Sequence, residues 1–593
     1  MRHFLLFFCV CSLFAAACKP KTQGVVPKAQ LDTLLNRYYE ERLVYYPLEA
    51  TAIADNRYND KLPCDIADSY RDTLKRFYTR YLMDLDAIDT TALDNQSMLS
   101  FKVFKREMAM QIEGLGFHDN LMPINQFWGM PLTFALLGSG GNNQPFHSVK
   151  EYDDFLGRIH SYSIWTDTAI ANMKRGMAQG IVPPRILMER VLPQLKAMLV
   201  EKPEASVFYQ PITKLPDSIP AATKTRLTEA YKLAIMNEVV PAYRRLHDFI
   251  STEYAPACRK SAGISEVPGG KAYYQYQARF WTTTDLTPDQ IFEIGQNEVK
   301  RIHSEMEQVK NQVGFKGDLK AFFKYIHEDP KFRPFTKDTA VIAAYRAIEG
   351  RMQPQLKKLF NLVPKARFEV RQTEKFREAS ASAEYNQSAP DGSRPGIFFV
   401  PVPDPTKVNV VGMEDLFLHE AIPGHHYQTS IQQENEALPK FRRFGWYGAY
   451  GEGWALYTES LGKELGLYTD PYQYFGCLSE EMHRALRLVV DVGMHWKGMT
   501  REEAIQISLE NEAESEADIT TEIERYMAIP GQALGYKIGQ MKIREVRARA
   551  EKQLGSKFNI AAFHDAVLID GCLPLDVFEQ KMNSWIQAEK VKN

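Results

Sequence analysis

Residues 418–428 read Leu-His-Glu-Ala-Ile-Pro-Gly-His-His-Tyr-Gln, and residues 450–460 read Tyr-Gly-Glu-Gly-Trp-Ala-Leu-Tyr-Thr-Glu-Ser. His419 and Glu420 follow the amphipathic run Met413–Leu418, so they stand near the end of a helix. His-Glu with a second His one turn later lets two imidazoles hold zinc while the carboxylate works on water. Here the position one turn on is Pro423, and the imidazoles stand two and three residues further along, at His425 and His426. On a straight helix the seventh residue returns to the same face but lies about 10 Å along the axis. Two ligands that each sit about 2 Å from one zinc cannot be that far apart. The helix is therefore expected to break at Pro423–Gly424, where Pro removes a donor and Gly tolerates an unusual backbone. Both His425 and His426 stay open as the second ligand.

A catalytic zinc usually takes three protein ligands and one water. Glu452, and Glu459 seven residues after it, share one face of a helix. One carboxylate can reach the metal while the other steadies a ligand from behind. His483 and His495 follow at 483–495. Asp491, one turn before His495, is either its structural partner or part of the shell behind the ligands.

Outward from this core, the N-terminus reads as an export signal. Arg2 and His3 precede the apolar run Phe4–Phe14, and Ala15, Ala16, Ala17 and Cys18 follow. About ten apolar residues are too few to span a bilayer, which needs about 20. Three Ala before Cys resemble the lipobox of bacterial lipoproteins, with Ala15 where Leu is usual, which implies a lipid anchor on Cys18 and an envelope location. No later stretch is apolar enough to span, so that lipid is the expected membrane contact. Residues 19–30 read as a tether and 31–593 as one helical domain; a division near residue 330 would make it two lobes. Cys64, Cys258, Cys477 and Cys572 have no CxxC spacing and leave one or two disulfides open in an oxidising compartment.

The chain has 593 residues, formal net charge -2, and 45% hydrophobic content. That balance carries no basic stripe and speaks against nucleic acid. Helical periodicity starts at Leu31, Leu34, Leu35, Tyr38 and recurs through 66–90, 94–116, 150–176, 183–200, 220–252 and 288–312. Thr287, Pro288 and Gln290 predict a capping box at the start of the last. The strand-like stretches are 368–372 (FEVRQ) and 396–402 (GIFFVPV), so the expected fold is mainly α with one small sheet beside the motifs.

HEAIPGHH and EGWALYTE, with YPLEATAIADNRYND at 46–60, YYQYQARFWTTTDLTPDQI at 273–291, RLVVDVGMH at 487–495 and PGQALGYKIG at 530–539, closely resemble the bacterial family called domain of unknown function 885. The resemblance spans nearly all of the mature chain. It implies kinship with helical zinc peptidases, the thimet-type oligopeptidases and carboxypeptidase Taq, and hence a zincin-like fold. By that comparison one zinc is held by His419, His425 and Glu452, with His426 as the alternative second ligand. Glu459 and Asp491 stand behind them. Glu420 is the general base, and Tyr536, or else His495, stabilises the oxyanion; Tyr526 is the rival to Tyr536. The implied activity is hydrolysis of short peptides, with the strand at 396–402 offering an edge to an extended substrate. Two other readings use the same residues. One is a metal-stabilised binding lipoprotein without turnover, which a closed four-ligand site would favour. The other is a zinc hydrolase of a different amide.

Overall fold

The computed structural model describes residues 26–141, 143–373, 378, 382–389, 392 and 394–592. The signal, Cys18 and most of the tether lie outside the described residues. The described residues are mainly helical with one three-stranded sheet. The first helix, Pro27–Tyr45, takes up the last residues assigned to the tether, because Pro27 pre-sets the backbone of its first turn. The expected periodic stretches appear as Asp68–Asp86, Asn95–Gly114, Val149–Gln179, Arg185–Lys196, Ala221–Ala234 with its continuation to Phe249, and Pro288–Gln312. At Thr287 the capping box is complete: its Oγ1 accepts from the Gln290 amide at 3.3 Å, and Gln290 Oε1 accepts from the Thr287 amide at 2.9 Å.

Eight helices frame the region of interest: α1 (Gly270–Thr282), α2 (Pro288–Gln312), α3 (Met413–Glu420), α4 (His425–Glu434), α5 (Gly448–Glu459), α6 (Pro471–Lys497), α7 (Glu516–Ala528) and α8 (Leu534–Leu554). The sheet contains β1 (Phe368–Gln372), β2 (Glu384–Asn386) and β3 (Gly396–Val400), in the order β1-β3-β2. β3 runs parallel to β1, with Phe368 opposite Gly396, and antiparallel to β2, with Glu384 opposite Phe399. All of β3 is buried, as its unbroken apolar run requires. Both of its sides are therefore paired, so it cannot offer the edge expected of it. The outer strands are β1 and β2, and the three residues of β2 are too few to announce themselves by alternation.

Buried apolar side chains from both sides of residue 330 share their cores. Leu99, Tyr274 and Ile291 belong to the same cluster as Phe417, Trp454 and Phe578. Trp165 and Tyr243 join Val490 and Tyr526 in another. Cys64, Cys258, Cys477 and Cys572 are all free, so none of the pairings left open by the spacing is made. Among the described residues no helix is long and apolar enough to cross a membrane.

Candidate metal centre

The helix does break where the spacing demanded it. α3 ends at Glu420 and α4 starts at His425. Gly424 makes the turn possible: a Cβ there would lie 1.9 Å from the carbonyl oxygen of His419 and 2.3 Å from that of Leu418. A break in a buried helix frees carbonyls that must find donors. α5 supplies two. Thr458 Oγ1 donates to the Leu418 carbonyl at 2.9 Å, and Trp454 Nε1 donates to the Pro423 carbonyl at 2.9 Å. The segment EGWALYTE thus satisfies the turn from the same helix that carries Glu452 and Glu459.

α5 is seated by glycine. It crosses α8 so closely that a Cβ on Gly539 would lie 1.7 Å from the Ala449 carbonyl oxygen and 2.8 Å from Gly453 Cα. On its far side α5 leans on the C-terminal segment. The Tyr450 hydroxyl donates to the Val567 carbonyl at 2.7 Å, and the Tyr457 hydroxyl meets His564 Nε2 at 2.8 Å. Cys572 reinforces α4 by donating its amide to Gln432 Oε1 at 3.0 Å.

These constraints bring three donors to one point. Glu452 Oε2 is 3.6 Å from His419 Nε2 and 3.6 Å from His425 Nε2. The two imidazole rings stand nearly perpendicular, 4.9 Å between centroids. Ligands about 2.1 Å from a tetrahedral ion lie about 3.4 Å from one another, so these separations fit such an ion. Glu420 also comes near, and His419, Glu420 and His425 offer ligand atoms within 4.8 Å of one another. The Glu420 oxygen is 4.0 Å from His419 Nε2. Glu452, nearer and equidistant from both imidazoles, is the better third ligand, which leaves Glu420 beside the centre. Behind His419, Glu459 Oε1 meets Nδ1 at 2.6 Å. That bond fixes the tautomer and turns Nε2 toward the cluster.

The charges suit a cation. Three carboxylates, Glu420, Glu452 and Glu459, surround two imidazoles. Burial opposes a proton on His419, yet the adjacent Glu452 and Glu459 outweigh it and hold its pKa well above the usual imidazole value. Burial alone would raise Glu452, but the imidazoles of His419 and His425, 3.6 Å away, hold its pKa below the carboxylate range. A divalent ion would neutralise what protons balance here.

The group opens into a cavity of about 1050 Å³, on whose wall lie His419, Glu420, His425, Glu452 and Tyr536. Tyr536 is half-buried under the Arg487 guanidinium, 4.6 Å from its ring centroid. Its helix starts at Leu534, just past Gly531, which takes a left-handed conformation (φ 81°) and donates its amide to Asp491 at 3.2 Å. The other expected residues lie elsewhere. His426 points away from the centre and its Nδ1 meets the Tyr385 hydroxyl at 2.9 Å; burial pushes its pKa down to about 4. His495 is wholly buried, with Nδ1 accepting from the Ile264 amide at 3.0 Å and Nε2 facing the Tyr526 carbonyl at 2.9 Å. It has no nitrogen to spare for a substrate. Asp491 accepts from the Tyr274 hydroxyl at 2.6 Å, not from His495, and it does not back the ligands. Tyr526 is buried too, bonded to Glu522 at 2.8 Å and Arg487 at 2.9 Å.

The sequence reading named His483 but missed the neighbouring lining residues Arg484, Arg487, Glu522 and Arg525, and the aromatic Trp446 beside His425. Glu480, His483, Arg484 and Arg487, at i, i+3, i+4 and i+7, share one face of α6, and that polar stripe was the available signal. Tyr385 also went unseen, since β2 did.

Fold and site together define a mainly helical protein with a His–Glu cluster, partly buried in a cavity wall, whose ligand atoms lie close enough together for a metal ion. The chain belongs to the family described as bacterial protein of unknown function, DUF885, whose model matches residues 47–582. It is similar to the crystal structure of a protein from Colwellia psychrerythraea, provisionally described as a lipoprotein, with 28% identity and a TM-score of 0.87 over 95% of this chain and 100% of that one. It shares its fold with a provisionally described lipoprotein of unknown function from Shewanella oneidensis, at 19% identity and a TM-score of 0.75 over 93% of this chain and 99% of that one. No curated protein matches the chain significantly.

Proposed function

We propose that the chain is a zinc peptidase that hydrolyses short peptides. The observation that carries this is the meeting of His419 Nε2 and His425 Nε2 on one Glu452 oxygen, 3.6 Å from each, with the spare carboxylate of Glu420 beside them. Two imidazoles and a carboxylate are a catalytic zinc set that leaves a fourth position open. His426 is turned away, so the closed four-ligand arrangement of a purely structural site loses its fourth ligand. Bound zinc would act as a Lewis acid that lowers the pKa of water from about 16 toward 7.

The remaining work falls to the chain's own groups. Glu420 lies within reach of the cluster and can take a proton from water as general base, then hand it to the leaving amine. Tyr536, on the same cavity wall, can donate its hydroxyl hydrogen to the oxyanion. The stretch 382–387, which includes the outer strand β2, lines the cavity and suits pairing with an extended backbone. The cavity's volume suits a short peptide and excludes a folded domain. Zinc content and turnover of Glu420→Gln test the reading: the variant should keep about one zinc per chain and lose about 10²-fold or more in rate. Full turnover in that variant would overturn it.

For location we propose a lipid anchor at Cys18. Ala15–Cys18 resembles a lipobox, both solved relatives are provisionally described as lipoproteins, and no described helix can span a bilayer. Cys18→Ser should move the protein from the membrane fraction to the soluble envelope fraction; unchanged membrane association would refute the anchor.

A further inference from the structure

The cavity wall is mixed, its charged and polar residues joined by Ile53, Leu416, Phe444, Ile519 and the indole of Trp446. The indole is 48% exposed, although burying a tryptophan is among the larger gains open to a folding chain. It lies beside His425, 6.0 Å between ring centroids. The outer edge of its six-membered ring meets the start of α5: a Cβ on Gly451 would fall 2.1 Å from its nearest carbon. Gly451 immediately precedes Glu452, so the same backbone that presents the carboxylate seats the indole.

The loop that bears Trp446 is tied down on both sides. Before it, the buried Gln432 donates through Nε2 to the carbonyls of Arg442 at 2.7 Å and Gly445 at 2.8 Å. After it, the Tyr447 amide donates to Cys572 Sγ at 3.1 Å, and the Cys572 thiol donates back to the Tyr447 carbonyl at 3.3 Å. A residue left exposed by a slack loop would have no such fastening. Trp446 is held out into the cavity, a rigid aromatic face within one side-chain length of the ligand group.

We propose that Trp446 sets specificity: its indole receives an aromatic or long aliphatic side chain of the substrate residue at the bond presented to His419, His425 and Glu452. The proposal rests on the peptidase reading and names its substrate class, peptides with a large apolar residue flanking the scissile bond. A flat indole offers such a side chain stacking and apolar contact, and it offers Gly or Asp nothing comparable.

Hydroxamates of single amino acids test this without turnover, because the hydroxamate anchors on zinc while the side chain varies. In calorimetry on the zinc-loaded full chain, the Phe and Leu hydroxamates should bind about 10-fold or more tighter than the Gly hydroxamate. Trp446→Ala should bring the three within about 3-fold of one another, and Trp446→Phe should keep most of the preference. Acetohydroxamate, which has no side chain to place, reads the metal site alone and reveals a misfolded Ala variant; the Phe variant and the wild-type preference then still decide. Absence of a preference in the wild type, or its survival in Trp446→Ala, overturns the proposal. A clear preference in a protein that cuts no peptide of a library would instead remove the peptidase reading and leave the aromatic platform standing.

Discussion

Gly539→Ala should damage the metal centre without touching it. The added Cβ would sit 1.7 Å from the Ala449 carbonyl oxygen, about 1.7 Å short of an ordinary contact of about 3.4 Å. Neither neighbour is a side chain that can rotate away, since Gly453 Cα stands on the other side at 2.8 Å. α5 and α8 must therefore part by more than an ångström. Overpacking usually costs about 1–3 kcal/mol, and rigid backbone on both sides puts this case at the upper end. For a chain of this size that lowers Tm by about 2–3 °C. The larger effect is expected on the proposed zinc site. Glu452 adjoins Gly453, so a shift of α5 carries its carboxylate away from the 3.6 Å approach to both imidazoles, and affinity should fall about 10–100-fold. Thermal melts and competition against a chelator read the two effects separately. Gly535→Ala is the control on the same helix, because its nearest contact is a milder 2.9 Å. If Gly539→Ala binds zinc like the wild type, or Gly535→Ala proves worse, glycine does not seat α5 as described.

Further outcomes follow from the same geometry. Glu459→Gln, which weakens the hold on His419 Nδ1, should lower zinc affinity about 10-fold or more with little change in fold, as a chelator titration and circular dichroism would show. Tyr536→Phe should cut turnover about 10²-fold at unchanged zinc content, whereas Tyr526→Phe should act mainly on stability, since its hydroxyl joins Glu522 and Arg487. Burial raises the pKa of Asp491 to about 7, so the folded chain keeps a proton that the unfolded chain releases near pH 3.9. Its contribution to stability therefore falls as pH rises from about 4 to 7. Relative to Asp491→Asn, the wild type should lose melting temperature across that window, and parallel pH profiles would refute the assignment.

Helices came through clearly in the sequence because apolar residues at 3.6-residue spacing must face a core, and Leu31, Leu34, Leu35 and Tyr38 all do. The break at Pro423–Gly424 was legible for a different reason: two imidazoles seven residues apart on an unbroken helix have no common metal position. The choice between His425 and His426 needed the direction in which α4 leaves the turn, which is set by Trp454 and Thr458 from another helix. His495 misled through its spacing. His483, Arg487, Asp491 and His495 recur every fourth residue, but each such step turns a helix by about 40°, so by His495 the stripe has rotated about 120° from the cavity. Nor could periodicity reveal that 396–402 would be covered on both sides, since a buried strand and a half-open one share the same apolar run.

The support that α5 and α4 draw from residues 564–572 has a consequence for how the protein is made. Until that stretch emerges and packs, the Tyr450 and Tyr457 hydroxyls and Gln432 Oε1 lack their partners at Val567, His564 and Cys572. The two imidazoles and the carboxylate are all synthesised more than a hundred residues ahead of 564–572, the stretch that completes the frame setting their spacing. A metal that arrives early meets a floppy chelator, which follows raw affinity and favours copper over zinc. One that arrives after release meets fixed distances, and the finished fold, rather than the ligands alone, does the choosing.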